Sequence, residues 1–408
     1  MNIAFIVTSY WSYGEILIAV MFAKRIIKSG YHPYFFIPSN HAEILKKEKI
    51  PYTLLFHGMG KINRILFQDY VLKYKPGLVI LSDFLNYNFC EEHYGLTYED
   101  LKLFDCPIGT FDNFDWTCQK RDMDTYGFRA AKVSNVNIDK YGFKIIPCPI
   151  ANPLNKACGD KYYYSLMQNV IPYMEKSKKQ VQEELGIEKD RPVVLITSAM
   201  WQETYKMYPH VKSFVEATDG VFNRLLIFLS KYAQVIQVGG KKNVSLSNIR
   251  YISRLAPSMF DRYAMACDLF LTRNITSTTL AKLTLSGVPT MVLSNSLRFK
   301  KGEVIEPGFP LNPQIMKALR SMDMCYPYRM FPVGWYRFLE PMLQDNPYID
   351  VMENAEIFDE DDVRFKIIEI LKNQTVRDGF AERAKKYRDI VASLDSPAEI
   401  LRHIQKKL

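Results

Sequence analysis

The 408-residue sequence predicts an α/β protein with two doubly wound parallel sheets in tandem. Short apolar runs such as Ile3–Val7 and Leu269–Thr272 alternate with segments whose apolar residues recur at helical spacing. The same alternation restarts after a polar stretch at residues 176–190. The length suffices for two domains that each bury a core of their own.

Strand and helix signals alternate over residues 1–175, which predicts an N-terminal Rossmann-like domain. Gly30 is placed to end the first helix. A long polar helix is predicted between Tyr162 and Asp190. The predicted strands are Ile3–Val7, Tyr34–Ile37, Tyr52–Phe56, Leu78–Leu81, Ile108–Phe111 and Lys144–Pro147, and the predicted helices are Glu15–Ser29, His41–Lys47 and Lys61–Lys73.

The strand and helix signals of residues 176–375 predict a second Rossmann-like domain. Residues 376–408 are predicted to form C-terminal helices. Residues 296–350 form an insertion rich in proline and aromatic residues, which suits either an irregular packed segment or an acceptor-binding lip. The predicted strands are Val193–Thr197, Ala233–Val238, Ile249–Ile252, Leu269–Thr272 and Thr290–Leu293, and the predicted helices are His210–Thr218, Met259–Ala266, Ala281–Ser286, Val363–Leu371, Ala381–Leu394 and Pro397–Leu408.

The composition is that of a globular protein with a moderate net charge of +9. This charge suits anionic ligands such as nucleotides, or loose attraction to an acidic membrane surface. The scattered basic residues argue against a nucleic-acid face. The seven cysteines show no metal-ligand spacing and fit a reducing compartment. We therefore expect a cytoplasmic protein, with peripheral contact at the inner face of the membrane left open.

Polar loops that follow predicted strands in the second half suit a phosphate-bearing ligand. Residues 276–279 carry four consecutive hydroxyl side chains at a helix start, where free N–H groups and the helix dipole attract anions. An ordinary N-cap is the alternative. The loops Ser198–Ala199 and Gly239–Gly240 allow close backbone approach at the carboxyl ends of neighbouring strands.

The C-terminal half resembles the GT-B glycosyltransferases, most closely the branch that adds N-acetylglucosamine to lipid-linked muramyl peptide. The resemblance rests on residues 196–200, 237–241 and 268–289, and Ser12–Glu15 occupies the slot of the family's Gly-Gly-His loop. Two departures stand out. Residues 274–276 replace the family's turn glycines, and Lys282 stands where a glutamate usually grips the ribose hydroxyls.

This resemblance implies an inverting, metal-independent glycosyltransferase with a ligand cleft between its two domains. The C-terminal domain would bind a nucleotide sugar of the UDP or dTDP type, and the N-terminal domain would bind a small-molecule, peptide or lipid-linked acceptor. No cofactor or metal is expected. The predicted donor-binding residues are Ser198, Ala199, Gly239, Gly240, Arg273, Thr276, Ser277, Thr278, Thr279 and Lys282, and the predicted acceptor-binding residues are Tyr13, Gly14 and Trp335.

Three carboxylates are candidates for the base that deprotonates the acceptor. Glu15 is the first, because it takes the place of the family's histidine at the start of the first helix. Asp83, after the strand Leu78–Leu81, is the second. Asp112, with Asp115 nearby, is the third. Helix capping for Glu15 and ordinary turn roles for the aspartates are the structural alternatives.

Other interpretations of the function remain open. A nucleotide-sugar hydrolase or epimerase would use the same fold, and a degenerate GT-B protein would bind a nucleotide or a partner without turnover. Asp122–Asp124 spells the D-x-D metal signature of another glycosyltransferase fold, but it follows no apolar strand. His57 follows a predicted strand, where a turn histidine or a cleft residue would both fit.

Overall fold

A computed structural model of the chain describes residues 1–10, 13–116, 137–155, 158–167, 175–184, 186–188, 191–198, 209–242, 245–253, 255, 257–300, 303–305, 307–321 and 335–407. The chain divides into two compact units. The first unit comprises Met1–Gln168 and Ile390–Leu408, and the second comprises Asn169–Asp389. Among the described residues, no helix has the length and apolar character needed to cross a membrane.

The first unit is built on a parallel sheet of seven strands. Its strands are β1 (Asn2–Ile6), β2 (His32–Ile37), β3 (Tyr52–Leu54), β4 (Leu78–Leu81), β5 (Ile108–Phe111), β6 (Phe143–Cys148) and β7 (Lys161–Ser165). They lie in the order β3-β2-β1-β4-β5-β6-β7. The central strands are apolar runs because helices cover a doubly wound sheet on both faces.

Six described helices of the first unit lie in the connections between strands β1 and β5. The first of them buries one face, including Ile16, Phe22 and Ile26, against the sheet. The described helices are α1 (Gly14–Ile27), α2 (Ala42–Glu48), α3 (Gly60–Tyr74), α4 (Phe84–Phe89), α5 (Glu91–Tyr94) and α6 (Tyr98–Leu101).

The second unit contains a parallel sheet of six strands and a small hairpin. Its strands are β8 (Val193–Thr197), β9 (Gln234–Val238), β10 (Ile249–Ile252), β11 (Leu269–Thr272), β12 (Thr290–Ser294), β13 (Arg298–Lys300), β14 (Glu303–Ile305) and β15 (Glu353–Glu356). The sheet has the order β10-β9-β8-β11-β12-β15, and β13 pairs with β14.

The helices of the second unit surround this sheet, and the last helix of the chain packs into the first unit. The described helices are α7 (Glu175–Glu184), α8 (Pro209–Tyr232), α9 (Pro257–Ala266), α10 (Thr278–Leu285), α11 (Pro313–Arg320), α12 (Trp335–Leu343), α13 (Glu360–Lys372), α14 (Gln374–Ala392) and α15 (Pro397–Lys407). Helix α15 places Ile400, Leu401 and Ile404 in the core of the first unit.

The fold class predicted from the sequence is confirmed, and the predicted strands are found within two residues at each end. The long polar helix predicted between Tyr162 and Asp190 is confirmed only in part, because a polar helix lies within this range but residues 162–165 belong to a strand. Residues 161–165 form β7, whose tyrosines pack in the core, and the described helix α7 covers only ten residues. Aromatic side chains favour a buried strand over a solvated helix.

Two further differences concern the second unit. The helix predicted to end at Thr218 continues as α8 to Tyr232, because Phe222, Leu226 and Leu229 extend its apolar face across Gly220. Strand β15 lies outside the predicted strands, and it forms the edge of the sheet beside β12. Its sequence, ENAE, has little strand character of its own, so pairing with β12 accounts for its conformation.

The strand order reverses once in each sheet. In the first unit the reversal lies between β1 and β4, and in the second it lies between β8 and β11. The connections after these neighbouring strands leave in opposite directions, which opens a crevice at their carboxyl ends. Ligands of doubly wound sheets bind in such crevices, so the residues that follow these four strands are the first candidates for a site.

Candidate functional site

Glu15 lies beside the carboxyl end of β1, at the second position of α1. Ser9 Oγ donates a hydrogen bond to Glu15 Oε2 at 3.3 Å. Asn86 Nδ2, from α4 after the neighbouring strand β4, donates to Glu15 Oε1 at 3.1 Å. Each oxygen of this half-buried carboxylate thus receives a hydrogen bond from a neutral side chain.

Asp83 is the N-cap of α4 and is buried next to Glu15. Its Oδ1 accepts the backbone N–H of Asn86 at 2.8 Å, and its Oδ2 accepts Asn113 Nδ2 at 3.3 Å. Burial, and then the charge of Glu15, raise the pKa of Asp83 to about 7. Asp83 therefore loses its proton only near neutral pH, and its burial makes it less accessible to a ligand than Glu15.

Asp112 and Asp115 form a second buried pair after β5. The carboxylate of Asp112 accepts the backbone N–H of Trp116 at 2.9 Å and that of Phe114 at 3.4 Å. Burial and the charge of Asp115 raise the pKa of Asp112 to about 8. Its hydrogen bonds hold the turn that follows β5, so the geometry favours a structural role for Asp112.

Asp115 adopts a positive φ of 49° in this turn, a conformation that aspartate tolerates better than most residues. Its Oδ2 accepts a hydrogen bond from Tyr163 Oη at 2.9 Å and one from Asn155 Nδ2 at 3.1 Å. Because Tyr163 belongs to β7 and Asn155 follows β6, these bonds connect the turn after β5 to the β7 edge of the sheet.

The predicted acceptor residues Tyr13 and Gly14 begin α1, and the exposed ring of Tyr13 meets the ring of His41 edge to face at 5.1 Å. His41 is buried, and its Nε2 lies 2.7 Å from the carbonyl oxygen of Ser9, so this nitrogen must donate. Burial lowers the pKa of His41. A neutral His41 therefore holds the backbone of Ser9, whose hydroxyl donates to Glu15.

The remaining candidates of the first unit lie elsewhere. His57 contacts His93, with ring centroids 3.8 Å apart, and His93 stacks on Tyr10 at 4.4 Å. Asp122–Asp124 lies outside the described residues. Within the described part of the chain, no group of three or more His, Cys, Asp or Glu side chains is arranged to hold a metal ion.

In the second unit, Ser198 and Arg273 meet where the strand order reverses. Thr197 of β8 is paired with Thr272 of β11, so the next residue on each strand is Ser198 or Arg273. Arg273 Nη2 donates to Ser198 Oγ at 3.3 Å. Arg273 is buried, its guanidinium lies 4.5 Å from the centre of the Phe222 ring, and its Nη1 lies 3.8 Å from Asp219.

Gly239 and Gly240 follow β9 and adopt positive φ values of 75° and 67°. A Cβ atom at Gly239 would lie 3.0 Å from the carbonyl oxygen of Ser198, so glycine allows these two loops to run close together. Tyr251 Oη donates to the Gly240 carbonyl at 2.7 Å and holds the turn. Ala199 lies outside the described residues.

The hydroxyl run lies at the start of α10, as predicted. Ser277 is the N-cap, and its Oγ accepts the backbone N–H of Leu280 at 3.4 Å. Thr276 donates through both its backbone N–H and its Oγ1 to Asn274 Oδ1, at 3.1 and 2.8 Å. Thr278 and Thr279 are the first two residues of the helix and are half-buried.

Lys282 points toward a neighbouring helix, since its Nζ lies 2.7 Å from Asp261 of α9. It is therefore engaged in an ion pair within the unit. Trp335 begins α12, and its side chain lies outside the described part. Of the predicted donor residues, the structure brings together Ser198, Gly239 and Arg273.

Sequence reasoning missed several side chains that support these candidates. Ser9, His41 and Asn86 surround Glu15, and Asp219 and Phe222 flank Arg273. One of these residues can be found from local spacing. Asn86 lies three residues after Asp83, at the N3 position of the helix, where the backbone N–H bonds to the side chain of the N-cap residue. Ser9 is only six residues from Glu15, but no local pattern indicates their contact, and the remaining contacts join residues that are far apart in the chain.

We expect Asp112→Asn to flatten the dependence of stability on pH. The pKa of Asp112 is higher in the folded protein, at about 8, than in an unfolded chain, so its contribution is fully present at acid pH and is lost as pH rises toward 8. The wild-type free energy of unfolding should fall relative to the variant by roughly 1 kcal/mol per pH unit between pH 5 and 7. Urea unfolding at several pH values measures it.

The control is Asp139→Asn, which changes an exposed aspartate of the same unit. It should leave the pH dependence of unfolding as in the wild type. Parallel stability curves for the wild type and Asp112→Asn would show that the proton on Asp112 makes no contribution to folding.

Comparison with known proteins relates the chain to one family and one fold. Residues 22–408 match the model of the family DUF6365, which is described as a family of unknown function. A search of curated proteins finds no match. Among solved structures, the spinosyn forosaminyltransferase SpnP is 15% identical over 100% of this chain and 99% of its own, with a TM-score of 0.57.

Two further solved structures were determined with nucleotides. The spinosyn rhamnosyltransferase SpnG, in complex with thymidine diphosphate, is 12% identical over 99% of this chain and 100% of its own, with a TM-score of 0.53. Anabaena Alr3699/HepE, in complex with UDP, is 11% identical over 100% of both chains, with a TM-score of 0.54. The two sheets have the GT-B architecture of these proteins, and the match over residues 22–408 shows that the chain belongs to the family DUF6365.

Proposed function

We propose that this protein is a glycosyltransferase that moves a sugar from a nucleotide-sugar donor to an acceptor. The observation that carries the proposal is the chemistry at the two strand-order reversals. The second unit presents the guanidinium of Arg273 beside Ser198, and the first presents the carboxylate of Glu15. The nucleotide complexes of SpnG and HepE, which share the fold, support a donor of the dTDP or UDP type.

The second unit supplies what a departing diphosphate requires. Negative charge builds on the leaving oxygens as the glycosidic bond to phosphate breaks, and pre-positioned positive charge stabilises it. Arg273 is held over Phe222, against Ser198 and 3.8 Å from Asp219, so its guanidinium is already oriented when a phosphate arrives. The start of α10, with Thr278 and Thr279, adds backbone N–H groups and the positive end of the helix dipole.

The first unit supplies the base. In an inverting transfer, the acceptor O–H or N–H proton passes to Glu15 while the acceptor atom bonds to the anomeric carbon. The bond from that carbon to the diphosphate oxygen breaks, and its electron pair leaves with the nucleoside diphosphate. Glu15 suits this role better than Asp83 or Asp112, because both aspartates are buried whereas the half-buried Glu15 is accessible to an acceptor. No metal takes part in this scheme.

A non-catalytic nucleotide-binding protein is the second candidate, and Lys282 favours it. The lysine stands at the position where the resemblance implies a ribose-binding glutamate, and its ammonium is paired with Asp261. An ammonium cannot accept hydrogen bonds from ribose hydroxyls. This candidate differs from the enzyme in one result, because it binds the nucleotide sugar without consuming it.

We expect Arg273→Ala to weaken nucleoside diphosphate binding. A thermal-shift screen with UDP, GDP, CDP and dTDP first selects the nucleotide, because a ligand of the folded state raises the melting temperature. Loss of a charged hydrogen-bond donor should then cost about 2 kcal/mol, roughly a 30-fold rise in Kd by titration calorimetry. Arg320→Ala, at an exposed arginine of the same unit, should bind as the wild type does.

If Arg273→Ala binds as tightly as the wild type, the second unit's reversal point does not hold the diphosphate. If no nucleotide shifts the melting temperature of the wild type, the donor site itself is refuted. Circular dichroism of each variant separates loss of binding from loss of folding.

The double variant Ser277→Ala, Thr278→Ala tests the start of α10. It removes the N-cap side chain and one hydroxyl, and it should weaken nucleoside diphosphate binding by about 1–2 kcal/mol. Thr375→Ala, an exposed hydroxyl near the start of α14, is the control and should have no effect on binding. Unchanged affinity in the double variant would remove this helix from the donor site.

The variant Glu15→Gln distinguishes the proposed glycosyltransferase from the non-catalytic nucleotide-binding protein. The amide keeps the size of the side chain but cannot take up the acceptor proton, so the rate of nucleoside diphosphate release should fall by roughly 10²- to 10⁴-fold. Nucleotide affinity should stay as in the wild type. Binding of nucleotide sugars by both proteins with turnover by neither would favour the non-catalytic candidate.

A further inference from the structure

We propose that Asn86 is the positioning residue for Glu15, and that its side chain holds the carboxylate against Asp83 in the geometry required of a base. The inference rests on the proposed function for the role of Glu15. The contact between the two side chains is independent of that function. Asn86 and Glu15 are 71 residues apart in the chain, and their hydrogen bond joins the elements that follow β1 and β4.

Asn86 uses two groups for two different neighbours. Its backbone N–H donates to Asp83 Oδ1 at 2.8 Å, which completes the N-cap of α4. Its side-chain Nδ2 donates to Glu15 Oε1 at 3.1 Å. The cap needs only the backbone group, so the side chain is not explained by capping. Asn86 lies in the first turn of α4, and its side-chain amide is engaged by Glu15.

Asn86 is itself held rigidly. It is 3% exposed, and the fixed N-cap sets the position of its backbone. Ser9 Oγ occupies the other oxygen of Glu15 at 3.3 Å, so the carboxylate is gripped from both sides. A glutamate side chain has three rotatable bonds, and two hydrogen bonds from buried neighbours restrict them. This restriction keeps the proton-accepting oxygens in one place before the acceptor binds.

The pKa of Asp83 depends on the position of Glu15, and it can be measured without any substrate. Among the described residues, the ionisable groups that face Asp83 are Glu15 from α1, Asp112 after β5, Cys90 at the end of α4, and Tyr141. After burial, the charge of Glu15 is the largest cause that raises the pKa of Asp83. If Glu15 moves away, this pKa must fall.

The experiment measures the pKa of Asp83 by carbon-13 NMR of the full-length protein labelled at aspartate carboxyl groups, with Asp83→Asn for assignment. Asn86→Ala keeps the backbone N–H that Asp83 accepts, so its effect on Asp83 must pass through Glu15 or through altered burial. We expect Asn86→Ala and Glu15→Gln each to lower the pKa of Asp83 from about 7. Adding Asn86→Ala to Glu15→Gln should then change nothing more, whereas an effect through burial would persist there.

Asn113→Ala is the matched control, because Asn113 also donates an amide hydrogen bond near this pair but donates it to Asp83 itself. That bond lowers the pKa of Asp83, so its loss should raise the pKa, opposite in sign to the effect of Asn86→Ala. An unchanged pKa in Asn86→Ala, or an equal fall in the presence and absence of Glu15→Gln, overturns the proposal.

Activity provides the second readout. With the nucleotide sugar chosen by the thermal-shift screen, Asn86→Ala should lower kcat by about 10- to 100-fold through misplacement of the base, with KM for the donor unchanged. A normal kcat would overturn the positioning role. A wild-type protein that consumes no nucleotide sugar would refute the proposed function instead, and the NMR titration would still decide whether Asn86 holds Glu15.

Discussion

The parallel pairing of β1 with β4, and of β8 with β11, is the constraint on which the candidate residues of each unit depend. In the first unit Ile6 is paired with Leu81, so the residues that leave these strands emerge side by side. In the second unit Thr197 is paired with Thr272, which places Ser198 next to Arg273. A shift of register by one residue would turn each side chain to the opposite face of its sheet and separate these partners.

Burial divides the carboxylates of the first unit into two kinds. Asp83 and Asp112 are almost fully enclosed, and the cost of placing a charge there keeps each protonated to a higher pH than usual. Glu15 is only half-buried, and its hydrogen-bond donors Ser9 and Asn86 are neutral. The three carboxylates thus have different surroundings, and in the proposed mechanism this difference leaves Glu15, the least buried of them, to act as the base.

The sequence predicts the sheet strands well because a buried parallel strand is a nearly continuous apolar run, as in Leu78–Leu81. It fails at β7, where tyrosines replace the aliphatic residues, and at β15, whose strand conformation comes from pairing with β12. Candidate residues that directly follow a strand, such as Asp83 and Arg273, are also predictable.

Residues whose role depends on tertiary contacts are not predictable in this way. Asn86 is an ordinary helix residue until α4 is placed beside α1, and Asp219 and Phe222 matter only because α8 runs past the end of β11. Lys282 gives the clearest case. Its sequence position suggests a ligand contact, but Asp261 on the neighbouring helix engages its ammonium group.

The two departures from the resembled family have different structural consequences. The turn before α10 lacks the family's glycines, yet Asn274 closes it by accepting both the N–H and the hydroxyl of Thr276, as asparagine does in turns. The helix start, with its free N–H groups, is therefore retained without glycine. The side chain of Lys282, by contrast, offers no hydrogen-bond acceptor. Under the proposed function, the start of α10 therefore keeps the backbone geometry suited to a phosphate, whereas Lys282 cannot take the ribose-binding role of the family's glutamate.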